Sequence, residues 1–326
     1  MKVAVIGAGL AGSAAARALA DRGADVTLFD KARGLGGRTS VRRAGGFFFD
    51  HGAQYFTVRN PRFRDWVDSA QAVGVVRPWE GLVVTLGSGA VEPSPSQTRY
   101  VGVPGMSALA KHLVADLPVH TRTRIARVDR SEGQWLLHDA EGGERGRFDA
   151  LVVAVPAVQA AELLTGAPDF AARAAGQDYA PCWAVMLGFT EPLGVPFDGA
   201  RVQGSPLGWL ARNSSKPRRG DAEAWVLHAT PDWSRAHLDD PPEHVGSTLT
   251  RAFFEARGEG RVVPALTLSH RWRYALPTSP DTAGSLGKKK LRLAVCGDWC
   301  RGARVEDAFL SGLAAADRLS PSPAGR

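Results

Sequence analysis

The chain opens on an uninterrupted apolar run, Val3-Ala4-Val5-Ile6. A run that short, with no polar position inside it, fits a strand covered on both faces. Small and apolar residues then continue over residues 10–22 in a helical pattern, and Val26-Thr27-Leu28-Phe29 forms a second apolar run ending on Asp30. The same pattern returns at 151–156, with a helix at 157–164 behind it, and at 291–295, with a helix at 305–315 behind it. Buried strands alternating with helices predict a parallel sheet with helices on its faces. Residues 39–49 read as one further buried strand closing on three phenylalanines. Residues 61–73 read as a helix with Pro61 at its first position and Asn60 as its cap. A helix is expected from about 107 through 117, followed by strands over 119–128 and 134–138.

Elsewhere the pattern changes. Residues 75–97 read as short strands with turns (Trp79, 82–84, then 86–91), with a Pro/Ser loop at 92–96. From about 166 to 287 tryptophan becomes dense (Trp183, Trp209, Trp225, Trp233, Trp272), and period-two stretches at 183–189 and in part at 224–230 alternate with Pro/Gly/Ser loops. One helix, 243–257, interrupts them. This is the pattern of a mostly antiparallel sheet with a helical flank. The expected fold class is therefore α/β (α+β overall): a Rossmann-type nucleotide-binding domain with a parallel sheet, plus a mostly antiparallel substrate domain. The expected division is discontinuous, with 1–74, 98–165 and 285–320 in the first domain and 75–97 and 166–284 in the second. Residues 321–326 are expected to form a frayed tail.

The chemistry begins where the first strand ends. Gly7-Ala8-Gly9-Leu10-Ala11-Gly12 has the G-x-G-x-x-G spacing between that strand and the helix. Gly7 permits the tight turn, Gly9 lets backbone approach a pyrophosphate, and Gly12 lets the helix pack close to the sheet. The helix start at Leu10 and Ala11 offers free N–H groups to phosphate. Asp30, eighteen positions after Gly12, ends the second strand, where a carboxylate can accept from ribose hydroxyls. Strand, turn, helix, strand and acid in register point to a dinucleotide.

After Asp30 comes Lys31, and the segment closes on Gly36-Gly37-Arg38. This N-terminal signature resembles that of the flavin amine-oxidase and glutathione-reductase superfamily, and the resemblance implies noncovalent FAD. It implies that Arg38 stands near the pyrophosphate, where a guanidinium fork matches phosphate oxygens. It also implies that the backbone around Ile125 meets the adenine and that Ala53 and Gln54 lie against the flavin. Near the C-terminus, Gly297-Asp298 would offer a carboxylate to the ribityl hydroxyls. The helix opening at Val305-Glu306 would aim N–H groups and dipole at the flavin N1–C2=O edge.

Composition narrows the classes. Hydrophobic and charged contents of 44% and 22% are ordinary for a globular protein. No apolar run approaches the length of a membrane span, and Met1 leads directly into the first strand, so the expectation is a cytoplasmic protein without a leader. The net charge of +7 is spread along the chain, its densest run being Lys288-Lys289-Lys290. No nucleic-acid module accompanies it, so an anionic small ligand is the expected partner rather than nucleic acid. Cys182, Cys296 and Cys300 make no disulfide framework, and the C-x-x-x-C pair lacks further ligands, so no metal is expected.

Gly52-Ala53-Gln54-Tyr55-Phe56, Gly105-Met106-Ser107, Leu207-Gly208-Trp209-Leu210-Ala211-Arg212-Asn213 and Gly297-Asp298-Trp299 together resemble the renalase family, in particular its bacterial branch. The resemblance runs along essentially the whole chain. It implies a p-hydroxybenzoate-hydroxylase-like fold and an FAD oxidase. The implied substrates are isomeric dihydronicotinamide dinucleotides (2-dihydro-NAD(P) type), oxidised by hydride transfer to flavin N5, with O2 reduced to H2O2. Such donors need orientation and an aromatic wall more than an acid or base. Trp209, Trp233, Trp272 and Tyr274 are candidate walls, with Gln54 and Asn213 for the carboxamide. Arg212, His228, His270 and Arg271 are candidates for ribose or phosphate. Two rivals stay open. One is a flavin amine oxidase or desaturase-like enzyme, for which Lys216 in its Ser-Ser-Lys-Pro loop is weak support. The other is a flavin-binding sensor without turnover.

Overall fold

Two large sheets organise the molecule, with a three-stranded antiparallel sheet (Ile125–Ser131, Gln134–Asp139, Glu144–Phe148) and two short two-stranded pairs beside them. The computed structural model describes residues 1–87, 90–258 and 260–319; Ser88 and Gly89 of the expected 86–91 stretch and the tail from Ser320 lie outside them. The first sheet has six strands in the order Leu286–Lys288, Leu293–Val295, Ala150–Val153, Lys2–Ile6, Asp25–Phe29, Val119–His120. All its pairings are parallel except that of Leu286–Lys288 with Leu293–Val295. Val3, Ala4, Val5 and the whole of Leu151-Val152-Val153 are fully buried, because one face is covered by helices and the other by a helix together with the three-stranded sheet that carries Ile125, Trp135, Leu137 and Phe148. Leu10–Ala20 and Val305–Leu319 pack on one face, and Ala157–Leu163 sits on the other.

The second sheet has seven strands in the order Leu266–Pro277, Tyr179–Phe189, Glu223–Ala229, Leu207–Arg212, Gly199–Val202, Val83–Gly87, Ala90–Pro93. It is antiparallel apart from the pairing of Gly199–Val202 with Val83–Gly87. Its helical flank, Pro242–Arg257, buries Val245, Leu249 and Phe253, whose ring lies 5.2 Å from that of Trp225.

Several local expectations change. Residues 39–49 are a hairpin rather than one strand: Arg42–Ala44 pairs with Phe47–Phe49 across Gly45-Gly46, both with positive φ (56° and 81°). Two such residues make the tight turn whose twist matches the strands. The helix expected to reach Leu117 is shorter, Ala108–Leu113, and gives way to turns over 114–116. The helices Pro168–Ala175 and Pro231–Ala236 and the strand Glu144–Phe148 were not legible, being short or, in the strand, mostly polar.

Candidate functional site

A cavity of about 1060 Å³ runs from the carboxyl ends of the parallel strands to the face of the antiparallel sheet. Its first end is built from backbone. Gly7 turns the chain out of Lys2–Ile6 with φ of 105°, and a Cβ there would stand 2.5 Å from the Ala154 carbonyl. A Cβ on Gly12 would stand 1.9 Å from the Gly7 carbonyl, so Gly12 is fixed by helix–turn packing and does not itself line the cavity. Gly9 does line it, and a Cβ there would meet nothing within 4 Å. Protein packing therefore explains Gly7 and Gly12, whereas Gly9 leaves room for a ligand at the start of helix Leu10–Ala20, as a pyrophosphate requires.

Asp30 lines this end with both oxygens engaged by backbone. Oδ2 accepts from Ala8 N–H and Oδ1 from Ala32 N–H, each at 2.7 Å. It thus braces the glycine turn, with further lone pairs available to a ribose. Lys31, Gly37, Ile125, Leu10, Ala11 and Ala53 line the same cavity, and Lys31 Nζ donates to Gln159 at 3.0 Å.

Arg38 and Asp298 were expected to serve different parts of the cofactor. Both line the cavity, yet they are bonded to each other: Nη1 and Nη2 donate to the two carboxylate oxygens at 2.6 Å, and Nη1 also donates to the Ala275 carbonyl at 2.9 Å. The fork matches a carboxylate as well as it matches a phosphate. The Asp298 carboxylate raises the Arg38 pKa further, against burial, which acts to lower it. At the start of the last helix, Ala303, Arg304, Val305 and Ala308 line the cavity but Glu306 does not. Its carboxylate accepts from the N–H groups of Arg59 and Asn60 at 2.8 and 2.7 Å, so the side chain is committed away from the cavity and the expectation for this position rests on the helix N–H groups.

The second end is built from side chains. His51, His270 and Trp272 form a cluster, with ring centroids 4.9 Å (His51–His270), 5.1 Å (His51–Trp272) and 4.3 Å (His270–Trp272) apart. Trp272 Nε1 donates to the His51 carbonyl at 3.0 Å, and His228 Nε2 lies 3.1 Å from the same oxygen, which makes Nε2 the protonated nitrogen. Burial, then His270, His228 and Arg42, push His51 down to about 3, and burial pushes His228 down to about 4. Burial and Arg42 lower His270 as well. His51 and His228 are therefore neutral near pH 7. Trp209, its ring 5.4 Å from that of Tyr55, and Tyr274 complete the aromatic lining. Arg201, Arg271 and Arg273 add positive charge; Asp239 holds the last two, while Arg201 has no ion-pair partner among the described residues. The carboxylates among the described lining residues are Asp30, Glu162 and Asp298, on the elements that build the first end.

Three expected pocket residues lie elsewhere. Trp233 stacks on His237 at 4.1 Å, because its short helix is capped by Thr230 and turns the ring from the cavity. Asn213 is fully buried, donating to the Phe48 carbonyl at 2.8 Å and accepting from Asp50 N–H at 3.2 Å. Arg212 is directed to the carbonyls of Val195 and Phe197. Gln54 lines the cavity, but its amide is already committed: Nε2 donates to the Asp50 and Gly52 carbonyls, and Oε1 accepts from Lys216 at 2.9 Å. It is not free to read a carboxamide. Lys216 itself is buried and does not line the cavity. Tyr55, Cys182, Arg201 and Arg273 were missed, and so was the burial of Asp50, although an acid closing an apolar strand, as Asp30 does, was a usable signal.

A glycine turn at parallel strand ends, an acid bracing it and a Gly9 whose Cβ would meet no protein atom define a dinucleotide-binding site of the Rossmann type. The chain belongs to the flavin-containing amine oxidoreductase family, whose model matches residues 81–320; a model for NAD(P)-binding Rossmann-like domains matches residues 5–70. Its cofactor is FAD. Over 81 residues, 22% of this chain, it is 37% identical to the 4,4'-diapophytoene desaturase (4,4'-diaponeurosporene-forming) of Staphylococcus aureus (strain MRSA252), and the match spans 16% of that relative's length. Among solved structures it resembles cyclohexylamine oxidase from Brevibacterium oxydans IH-35A (TM-score 0.77, 13% identity, 98% of each chain). It also resembles a putrescine oxidase solved with putrescine bound (TM-score 0.75, 13% identity, 97% of this chain and 98% of that one). At that identity the likeness concerns the fold. Among the described residues no helix is long and apolar enough to cross a membrane.

Proposed function

We propose that this flavin-dependent oxidoreductase oxidises dihydronicotinamide dinucleotides that carry their extra hydride at the wrong ring carbon, returning NAD(P)+. When bound, FAD would supply the hydride acceptor, and the overall change, dihydronicotinamide plus O2 plus one proton from water giving NAD(P)+ and H2O2, balances. The observation that carries the reading is the charge and surface of the second end: aromatic faces and arginines, and no lining carboxylate among the described residues. An alkylammonium substrate would find no counterion there and would face Arg201. A dinucleotide brings a flat ring for Trp272, Trp209 and Tyr274 and phosphates for Arg201 and Arg271.

The chain's own groups position rather than exchange protons. A dihydropyridine becomes aromatic on losing hydride, so no base has to act on it. His51 and His228, neutral through burial, present polar ring edges without charge. Walls that hold one ring carbon about 3–3.5 Å from the acceptor discriminate against another, since a misplacement near 1 Å can cost about a hundredfold. The test is aerobic turnover with a mixture of dihydro-NAD isomers, measuring NAD+ and peroxide together. The expected result is one peroxide per NAD+ from the isomers and little from ordinary NADH. Peroxide formed from primary amines and not from any isomer would overturn the reading.

A further inference from the structure

Beneath the cavity floor lies a set of buried charges that the proposed reaction does not use. The side chains of Asp50, Lys216 and Arg219 are all fully buried. Arg219 donates through Nε at 3.1 Å and Nη2 at 2.8 Å to Asp50 Oδ2, and Lys216 Nζ lies 3.6 Å from the same oxygen. The other oxygen, Oδ1, accepts from Met106 N–H at 2.9 Å. Two cations share one carboxylate, so Arg219 takes most of Asp50 and leaves Lys216 to find other acceptors. It finds Gln54 Oε1 at 2.9 Å and Asn213 Oδ1 at 3.1 Å. Of Asp50, Gln54, Asn213, Lys216 and Arg219, Gln54 alone lines the cavity.

The contact has a direction. An ammonium has donors only, so it dictates that Gln54 turn its oxygen toward Lys216. The amide nitrogen then points back to the Asp50 and Gly52 carbonyls. The amide thereby ties together the 50–54 backbone, which carries His51, Gly52, Ala53 and Gln54 into the cavity.

We propose that Lys216 is a positioning residue for the FAD cavity: its ammonium holds the Gln54 amide oxygen and through it fixes the 50–54 backbone where that backbone faces the cofactor. A neutral amine gains a lone pair and can accept as well as donate, so loss of the proton frees the amide to turn. The groups facing Nζ are Asp50, Arg219, the Trp79 ring at 5.6 Å, and His228, which is itself neutral. Burial lowers Lys216 to about 8, Asp50 opposing and Arg219 reinforcing that shift. The device therefore operates in a range the bound flavin can report.

The experiment follows the visible absorption of bound flavin, and the FAD dissociation constant, in holoenzyme between about pH 6.5 and 9.5. Wild type is expected to show a one-proton spectral change near pH 8, with FAD binding about tenfold weaker above it. Lys216→Met removes the ammonium and should abolish the transition. Gln54→Glu places a carboxylate beside it and should move the transition upward by about a pH unit, an independent check if the methionine variant does not fold. A flat wild-type titration, the same transition in Lys216→Met, or an unmoved midpoint in Gln54→Glu would overturn the proposal.

Discussion

The two ends of the cavity are made in opposite ways. The nucleotide end is mostly backbone: a glycine turn, a helix start and one brace, Asp30, lie within 30 residues of sequence, with Glu162 and Asp298 added from later elements. The other end is side chain, brought together from the 50–54 segment, Tyr179–Phe189, Gly199–Val202, Leu207–Arg212, Glu223–Ala229 and Leu266–Pro277. Backbone sites tolerate little at the turn and much around it, because the N–H groups that bind are common to all residues. Side-chain sites change with each substitution. The first end can therefore keep its cofactor while the second varies its substrate, consistent with a family holding both amine oxidoreductases and this arginine-lined chain.

The largest expected effect separates glycines that serve the fold from one that serves the ligand. Gly12→Ala drives a methyl into the Gly7 carbonyl and should cost several kcal/mol, beyond the usual overpacking of about 1–3 kcal/mol, leaving little folded protein. Gly9→Ala meets no protein atom; thermal melting of the apoprotein should change by no more than about 1 kcal/mol while FAD affinity collapses. Equal effects on apoprotein melting would merge the two roles.

Next in size is a pH effect from the second end. His228 binds its proton only near pH 4 when folded but near 6.5 when unfolded. Between those values the unfolded chain holds more protons, so stability is complete above about 6.5 and falls as pH drops toward 4. The loss is about 3 kcal/mol for this group. Denaturant titrations of wild type and His228→Asn should converge at low pH; parallel curves would mean that another group dominates.

Trp272→Ala should slow the reductive half-reaction about a hundredfold and leave FAD bound and reoxidation unchanged. Arg201→Met should weaken anionic donors about fivefold, the scale of one exposed charge, and flatten the salt dependence of their binding. Trp233→Phe, outside the cavity, should change neither half-reaction by more than about twofold. A larger effect there than at Trp272 would relocate the substrate.

Legibility in the sequence followed the same divide. Strand, glycines, helix and acid are local, and their spacing alone places Gly7, Gly9, Gly12 and Asp30 as the structure has them. Arg38 and Asp298, 260 residues apart, were each legible as site residues, but not their pairing with one another. In the second end, Trp233 and Trp272 look equivalent in sequence. Only the Thr230 cap, which turns one ring onto His237, and the register of Leu266–Pro277 against Tyr179–Phe189 separate them. Asn213 reads in sequence as a pocket amide and Lys216 as one residue of a polar loop, yet both are buried because Asp50 and the Phe48 carbonyl wait for them across 160 residues of chain. Burial of polar groups depends on partners that local pattern does not reveal.

The central claim is that the second end takes a flat anionic hydride donor rather than an amine. Mixing holoenzyme anaerobically with isomeric dihydro-NAD and, separately, with putrescine and a cyclic amine tests it directly, read as loss of flavin absorbance in a stopped-flow instrument. The account predicts fast bleaching by the isomer at a rate nearly independent of pH, and none by the amines. Bleaching by an amine, rising steeply through that amine's pKa, with no response to the dihydronicotinamide, would contradict it.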